Sequence, residues 1–235
     1  MKGDLQWTGN KLGHHPYKLQ LSDGIDSVQW KASIYVNSPP VITSVPIRTI
    51  PGGEQYIYPL FANDKNLVNP FDSLATNQII FSLLQGPKGM NIDENNSLVW
   101  ETKNNPPGEY IVAINASDGA DDAIQTFSIL INSFPEITSH DSLNILVGET
   151  LKFQIQAHDL NPMDMLTFHL DTLYQGLSIG LKTGLLTWVP NKTNIGLHKF
   201  NLQVKDGHDD IGTTIQFQIY VFNPPQLTSE LPNEA

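Results

Sequence analysis

The chain has no cysteine, a single arginine and no long apolar run. The first absence excludes disulfides, thiolate metal sites and thiol chemistry. Secreted eukaryotic arrays of small domains commonly carry disulfides, so their lack points towards a bacterial surface protein. Arg48 is alone of its kind, and 24 acidic residues face 13 basic ones, for a net charge of -11. Phosphate backbones are held by Lys/Arg clusters that release counterions, and no such cluster exists here. Nucleic acid is therefore not an expected partner, and anionic membrane surfaces are disfavoured on the same ground. No run reaches the roughly 18 apolar residues of a membrane span, so no membrane insertion is expected of this segment. Met1-Lys2-Gly3-Asp4-Leu5-Gln6-Trp7 has no apolar stretch of the kind an export signal needs, which places any such signal elsewhere.

Catalytic signatures are missing too. The seven histidines show no His-x-x-x-His or His-Glu-x-x-His spacing, so a zinc site is not expected. Nucleophile-elbow, phosphate-loop and dinucleotide patterns do not occur, and no carboxylate spacing suggests a catalytic pair. The expectation is a protein that is not an enzyme.

What is present is a repeat. Asn37-Ser38-Pro39-Pro40-Val41-Ile42-Thr43-Ser44 returns as Asn132-Ser133-Phe134-Pro135-Glu136-Ile137-Thr138-Ser139 and again as Asn223-Pro224-Pro225-Gln226-Leu227-Thr228-Ser229. Upstream of each, a Trp precedes an Asp-Gly pair in nearly constant register: Trp7 with Asp23-Gly24, Trp100 with Asp118-Gly119, Trp188 with Asp206-Gly207. Self-similarity at roughly 90 residues marks a tandem array. The middle copy is longer because of an insertion near residues 65–77, turn-rich and best placed on a loop.

Within each copy the apolar residues alternate. Tyr110, Val112, Ile114 and Ala116 share one face; so do Phe127, Ile129 and Ile131, then Leu151, Phe153 and Ile155, then Phe200, Leu202 and Val204. Period two, bounded by Gly, Pro, Asn and Asp, predicts half-buried antiparallel strands. No segment sustains a 3.6-residue stripe. The fold class is therefore all-β, as tandem antiparallel β-sandwiches of about seven strands each, the size of an Ig-like or cadherin-like unit.

At these residues the chain resembles bacterial cadherin-like repeats, the dystroglycan-type cadherin-like or putative Ig domain group. The middle copy has Ala62-Asn63-Asp64, Gly89-Met90-Asn91-Ile92-Asp93, Ser97-Leu98-Val99-Trp100 and Gly108-Glu109-Tyr110 running to Ala116-Ser117-Asp118-Gly119. The last has Ala157-His158-Asp159, Gly176-Leu177-Ser178-Ile179, Gly184-Leu185-Leu186-Thr187-Trp188 and Gly196 running to Asp206-Gly207. The resemblance implies a calcium ion near each linker. Carried over, the ligands would be Asp159, Asn161 and Asp206 near residues 132–136, and Asp64, Asn66 and Asp118 near residues 37–40. The family's Asp-x-Asp loop reads Asp-x-Asn in both copies, and its acidic linker has shrunk to Asn-Ser, which lowers the number of carboxylates available. The other reading of the same residues is structural: Asp64 and Asp159 as Asx turns, Asp118 and Asp206 as hairpin-turn residues.

Trp7, Trp100 and Trp188 read as core, since a Trp fixed in register in every copy packs between sheets. Phe71, in the insertion, and Tyr174 are the loop aromatics available for ligand contact. Residues 1–37 read as the C-terminal half of a repeat with three strands, 38–132 and 133–223 as complete repeats, and 224–235 as a linker opening a further one. The half copy would expose an apolar face built from Tyr17, Leu19, Leu21, Trp30, Ile34 and Val36, open to completion by another chain.

This organisation implies a non-enzymatic extracellular segment of a repetitive bacterial surface protein. It would serve as stalk, spacer or adhesive region, meeting protein or polysaccharide at the cell surface. Two further readings stay open: a carbohydrate-binding or linker module of a secreted hydrolase, and a filament or sheath subunit that self-associates through its half repeat. No cofactor other than calcium is suggested.

Overall fold

The computed structural model describes residues 4–65, 78–171, 174–208 and 212–225. The inserted segment with Asn66 and Phe71 and the C-terminal residues 226–235 lie outside that set. The chain divides into two compact units, residues 1–131 and 132–235.

The first unit opens with a hairpin, β1 (Gly13–Ser22) and β2 (Ser27–Val36), paired from Gly13↔Val36 to Ser22↔Ser27 across the Asp23-Gly24 turn. A sandwich follows, made from β3 (Val41–Ile42), β4 (Thr49–Pro51), β5 (Gln55–Pro59), β6 (Ala62–Asn63), β7 (Ile80–Gln85), β8 (Asn91–Ile92), β9 (Ser97–Glu101), β10 (Gly108–Ser117) and β11 (Asp122–Asn132). One sheet has the order β4-β11-β10-β7, the facing sheet β5-β9-β8, and β3 pairs with β6 at the end. Tyr56, Tyr58, Leu98 and Trp100 from one sheet meet Val112, Ile114, Phe127, Ile129 and Ile131 from the other in a single core.

The second unit repeats the plan with β12 (Glu136–Ile137), β13 (Ser142–Leu146), β14 (Leu151–Gln154), β15 (Ala157–His158), β16 (Thr167–Leu170), β17 (Ser178–Ile179), β18 (Leu185–Trp188), β19 (Gly196–Lys205) and β20 (Thr213–Phe222). Its sheets run β13-β20-β19-β16 and β14-β18-β17, with β12 beside β15. Among the described residues its ladders are antiparallel except β13–β20, which is parallel, Ser142↔Gln218 through Leu146↔Phe222. The only helical piece among the described residues is a 3-10 turn, Lys192–Asn194, capped by the Asn191 side chain. Here too one core closes between the sheets, with Leu186 and Trp188 against Phe200, Leu202, Val204, Phe217 and Ile219. The alternation in the sequence is thus what buries one face of each strand and leaves the other to water.

The half copy departs from expectation in two ways. It has two strands rather than three, because the residues around Leu5-Trp7 join no ladder. In the complete copies the Trp-bearing strands, β9 and β18, pair with β5 and β14 in the sheet opposite the hairpin, and no such partner lies over β1 and β2 among the described residues. For the same reason Trp7 is 45% exposed, its ring leaning on His15 at 5.0 Å, whereas Trp100 and Trp188 are each 1% exposed. Leu19, Leu21, Val28 and Trp30 stand exposed along an open apolar groove. Tyr17, Ile34 and Val36 are half-buried.

Candidate functional site

The three Asp-Gly pairs build the same turn. Asp23 Oδ1 accepts the amides of Ile25 (2.9 Å) and Asp26 (2.7 Å); Asp118 Oδ1 accepts those of Ala120 and Asp121 (2.8 Å each); Asp206 Oδ1 accepts that of His208 (2.9 Å). Gly24, Gly119 and Gly207 follow with φ of 96°, 95° and 92°, a left-handed backbone that glycine adopts without Cβ strain. The Asp26 amide, then that of Ile25, holds the Asp23 carboxyl below its ordinary range. At Asp118 burial pushes upward, but the Asp121 amide, the Asn37 side chain and the Ala120 amide outweigh it and the carboxyl also titrates low. These turns need their aspartates whether or not an ion is present.

The last sandwich adds something more. Its linker residue Asn132 donates from Nδ2 to Asp206 Oδ2 at 2.8 Å. Ser133 donates its hydroxyl to Asp159 Oδ1 (2.6 Å) and Asn161 Oδ1 (2.8 Å), and its amide to Asn161 Oδ1 (2.8 Å). Asp159 Oδ1 also accepts the Asn161 amide at 2.8 Å, the Asx turn expected of it. The loop then turns back through an Asp164 N to Asn161 O bond of 3.1 Å. That turn brings the Asp164 carboxylate into a cluster with Asp159 and Asp206, where one oxygen of each lies within 4.8 Å of the others. His208 Nε2 sits 2.9 Å from Asp164 Oδ1.

Three carboxylates at that range repel. The repulsion is screened where water reaches half-buried Asp159 and Asp164. The turn bonds return about 1 kcal/mol apiece. An all-oxygen set of this kind fits a hard cation such as calcium, which takes carboxylate and amide oxygens. Calcium there would supply charge neutralisation and a fixed loop geometry.

The middle sandwich places its residues differently. Asp64 lies beside Asp118, and Asn37 Nδ2 bridges Asp118 Oδ2 (2.8 Å) and Asp121 Oδ2 (2.9 Å). Asp122 is turned away onto Asn115 at 2.9 Å, a bond that lowers its carboxyl. Tyr174 packs its ring edge-on to His198 (4.9 Å) and beside Trp188 (6.4 Å), against the core of its sandwich. Asp164 was not singled out by sequence. Its signal was an acid in the same loop, Asp159-Leu160-Asn161-Pro162-Met163-Asp164, at a spacing outside the carried-over pattern.

Residues 135–222 match the family described as Putative Ig domain. No curated protein matches the chain by sequence. Among solved structures it is similar to extracellular domains 3–5 of Drosophila OTK, at 12% identity and TM-score 0.53, with 88% of this chain and 71% of that one covered. It is also similar to Sidekick-1 immunoglobulin domains 1–4, at 14% identity and TM-score 0.52, with 88% and 58% covered. An endo-fucoidan hydrolase of glycoside hydrolase family 107 matches at 17% identity and TM-score 0.30, with 92% of this chain covered; the chain spans 35% of that enzyme's length. The likenesses to OTK and Sidekick-1 show the fold, tandem Ig-like β-sandwiches. No helix among the described residues is long and apolar enough to cross a membrane.

Proposed function

We propose that these tandem Ig-like and cadherin-like sandwiches form a non-enzymatic stretch of an extracellular, repetitive bacterial surface protein, acting as spacer or adhesive region. The observation that supports this best is modularity. Each complete repeat closes its own core, with the same sheet plan and the same buried Trp, so copies can be added without disturbing their neighbours. Neutral-polar surfaces and the absence of cysteine suit a bacterial exterior. Antibodies against the chain should label intact cells of the source organism. Labelling only after lysis would sink the reading. Binding to a polysaccharide panel or to a surface protein would then separate adhesive region from plain spacer.

A second reading has its own support in the exposed Leu19, Leu21, Val28 and Trp30 on β1 and β2. A sandwich half with that face bare is a template for a second copy of the chain. Sedimentation should then show association that grows with concentration and disappears when residues 1–37 are deleted. Equal sedimentation of both forms would remove this reading.

A further inference from the structure

We infer that the last sandwich holds a divalent cation through a ligand set that the family pattern does not supply: Asp164 is the third carboxylate beside Asp159 and Asp206, and Asn132 adds its side-chain carbonyl. The inference rests on the cation reading of this cluster and is independent of whether the chain is spacer or adhesive.

The pattern's second loop acid is Asn161 here. Its Oδ1 already accepts the hydroxyl and the amide of Ser133, so it anchors the linker. The charge lost at that position returns at Asp164, brought back by the turn that its own amide closes on Asn161 O. Three buried oxygens then lack a hydrogen-bond partner among the described residues: Asp159 Oδ2, Asp164 Oδ2 and Asn132 Oδ1. Asn132 is 2% exposed and its amide nitrogen lies 2.8 Å from Asp206 Oδ2, which sets the other end of the same amide group beside the cluster. Buried polar atoms are seldom left without a partner, and a bound ion is one of the few that would answer to all three. The type of ion follows from the ligands. Calcium takes about six to eight oxygens, several of them carboxylate and amide oxygens of the protein, in a flexible geometry, whereas magnesium demands an octahedron and keeps several of its waters. Three carboxylates gathered by loops and a linker suit the larger ion.

The test is calorimetric titration of CaCl2, with MgCl2 in parallel, into the chelator-stripped 235-residue chain. Calcium should bind and raise the melting temperature, with magnesium weaker. Asp164→Asn should weaken one calcium event by roughly tenfold or more while near-ultraviolet circular dichroism stays unchanged. Asn132→Asp adds a carboxylate and should tighten that event, a gain that misfolding does not imitate. Calcium binding untouched by Asp164→Asn but lost in Asp206→Asn would overturn the role of Asp164 and leave only the family's ligands. Absence of any calcium heat or melting shift in the parent chain would overturn the site altogether.

Discussion

Asn96 in one sandwich and Gly184 in the other occupy the same left-handed backbone position, φ 56° and 66°, at the entry to the strand that carries the buried Trp. Asparagine tolerates this region because its short polar side chain can bond locally, while a Cβ elsewhere costs about 1–2 kcal/mol. Asn96→Ala should therefore lower the stability of its sandwich by about 1 kcal/mol, and Asn96→Gly should leave it nearly unchanged. Gly184→Ala should cost more, because the added Cβ would sit 3.0 Å from Ile155 O and the Phe168 ring. Urea unfolding of the three variants checks the order.

The tryptophans separate by environment. Trp188→Ala should destabilise its sandwich by about 3–5 kcal/mol through lost burial and an unfilled cavity. Trp7→Ala, at a 45% exposed position, should cost below about 1 kcal/mol. Acrylamide quenching of the parent chain should reach Trp7 and Trp30 and spare Trp100 and Trp188.

Asp118 links the middle sandwich to pH. Its folded carboxyl titrates below the ordinary 3.8, so its contribution is present above 3.8 and fades as pH falls through the lowered value. Asp118→Asn should be less stable than the parent at neutral pH, and the gap should narrow as the pH falls below 3.8. Paired urea melts across that range give the measurement; a gap independent of pH would contradict the assignment.

Thr102 is fully buried, its hydroxyl donating to Glu54 O at 2.5 Å and accepting the Gly53 amide at 3.0 Å. Thr102→Val keeps the shape and strands both partners, for a loss of about 1–3 kcal/mol in the same assay.

Much of this was legible in the sequence. Strict alternation around Val112, Phe127 and Leu202 announced the strands and their buried faces, because only one sheet geometry puts every second side chain inside. The Asp-Gly pairs announced their turns through the demand for a left-handed residue. Asn96 escaped notice because it does the work of the Gly in the other copy's Gly-x-Leu-x-Trp. Trp7 was misjudged because burial depends on an opposing sheet, which its own register does not reveal. Asp164 reaches Asp206 only through the fold of a loop, and no local period records that meeting.

One ladder of the last sandwich governs how it would answer to stretching. Ser142–Leu146 and Gln218–Phe222 are its early and final strands, and they lie parallel, side by side. The flanking bonds Gln218 N to Asp141 O (2.8 Å) and Val147 N to Phe222 O (3.0 Å) extend the row at both ends. Traction on the two ends of this sandwich slides these strands past one another, so every bond in the row bears load at once. A hairpin opened from its tip would instead part bond by bond. The parallel pair thus makes the module a clamp, whose bonds share the load when its ends are pulled apart.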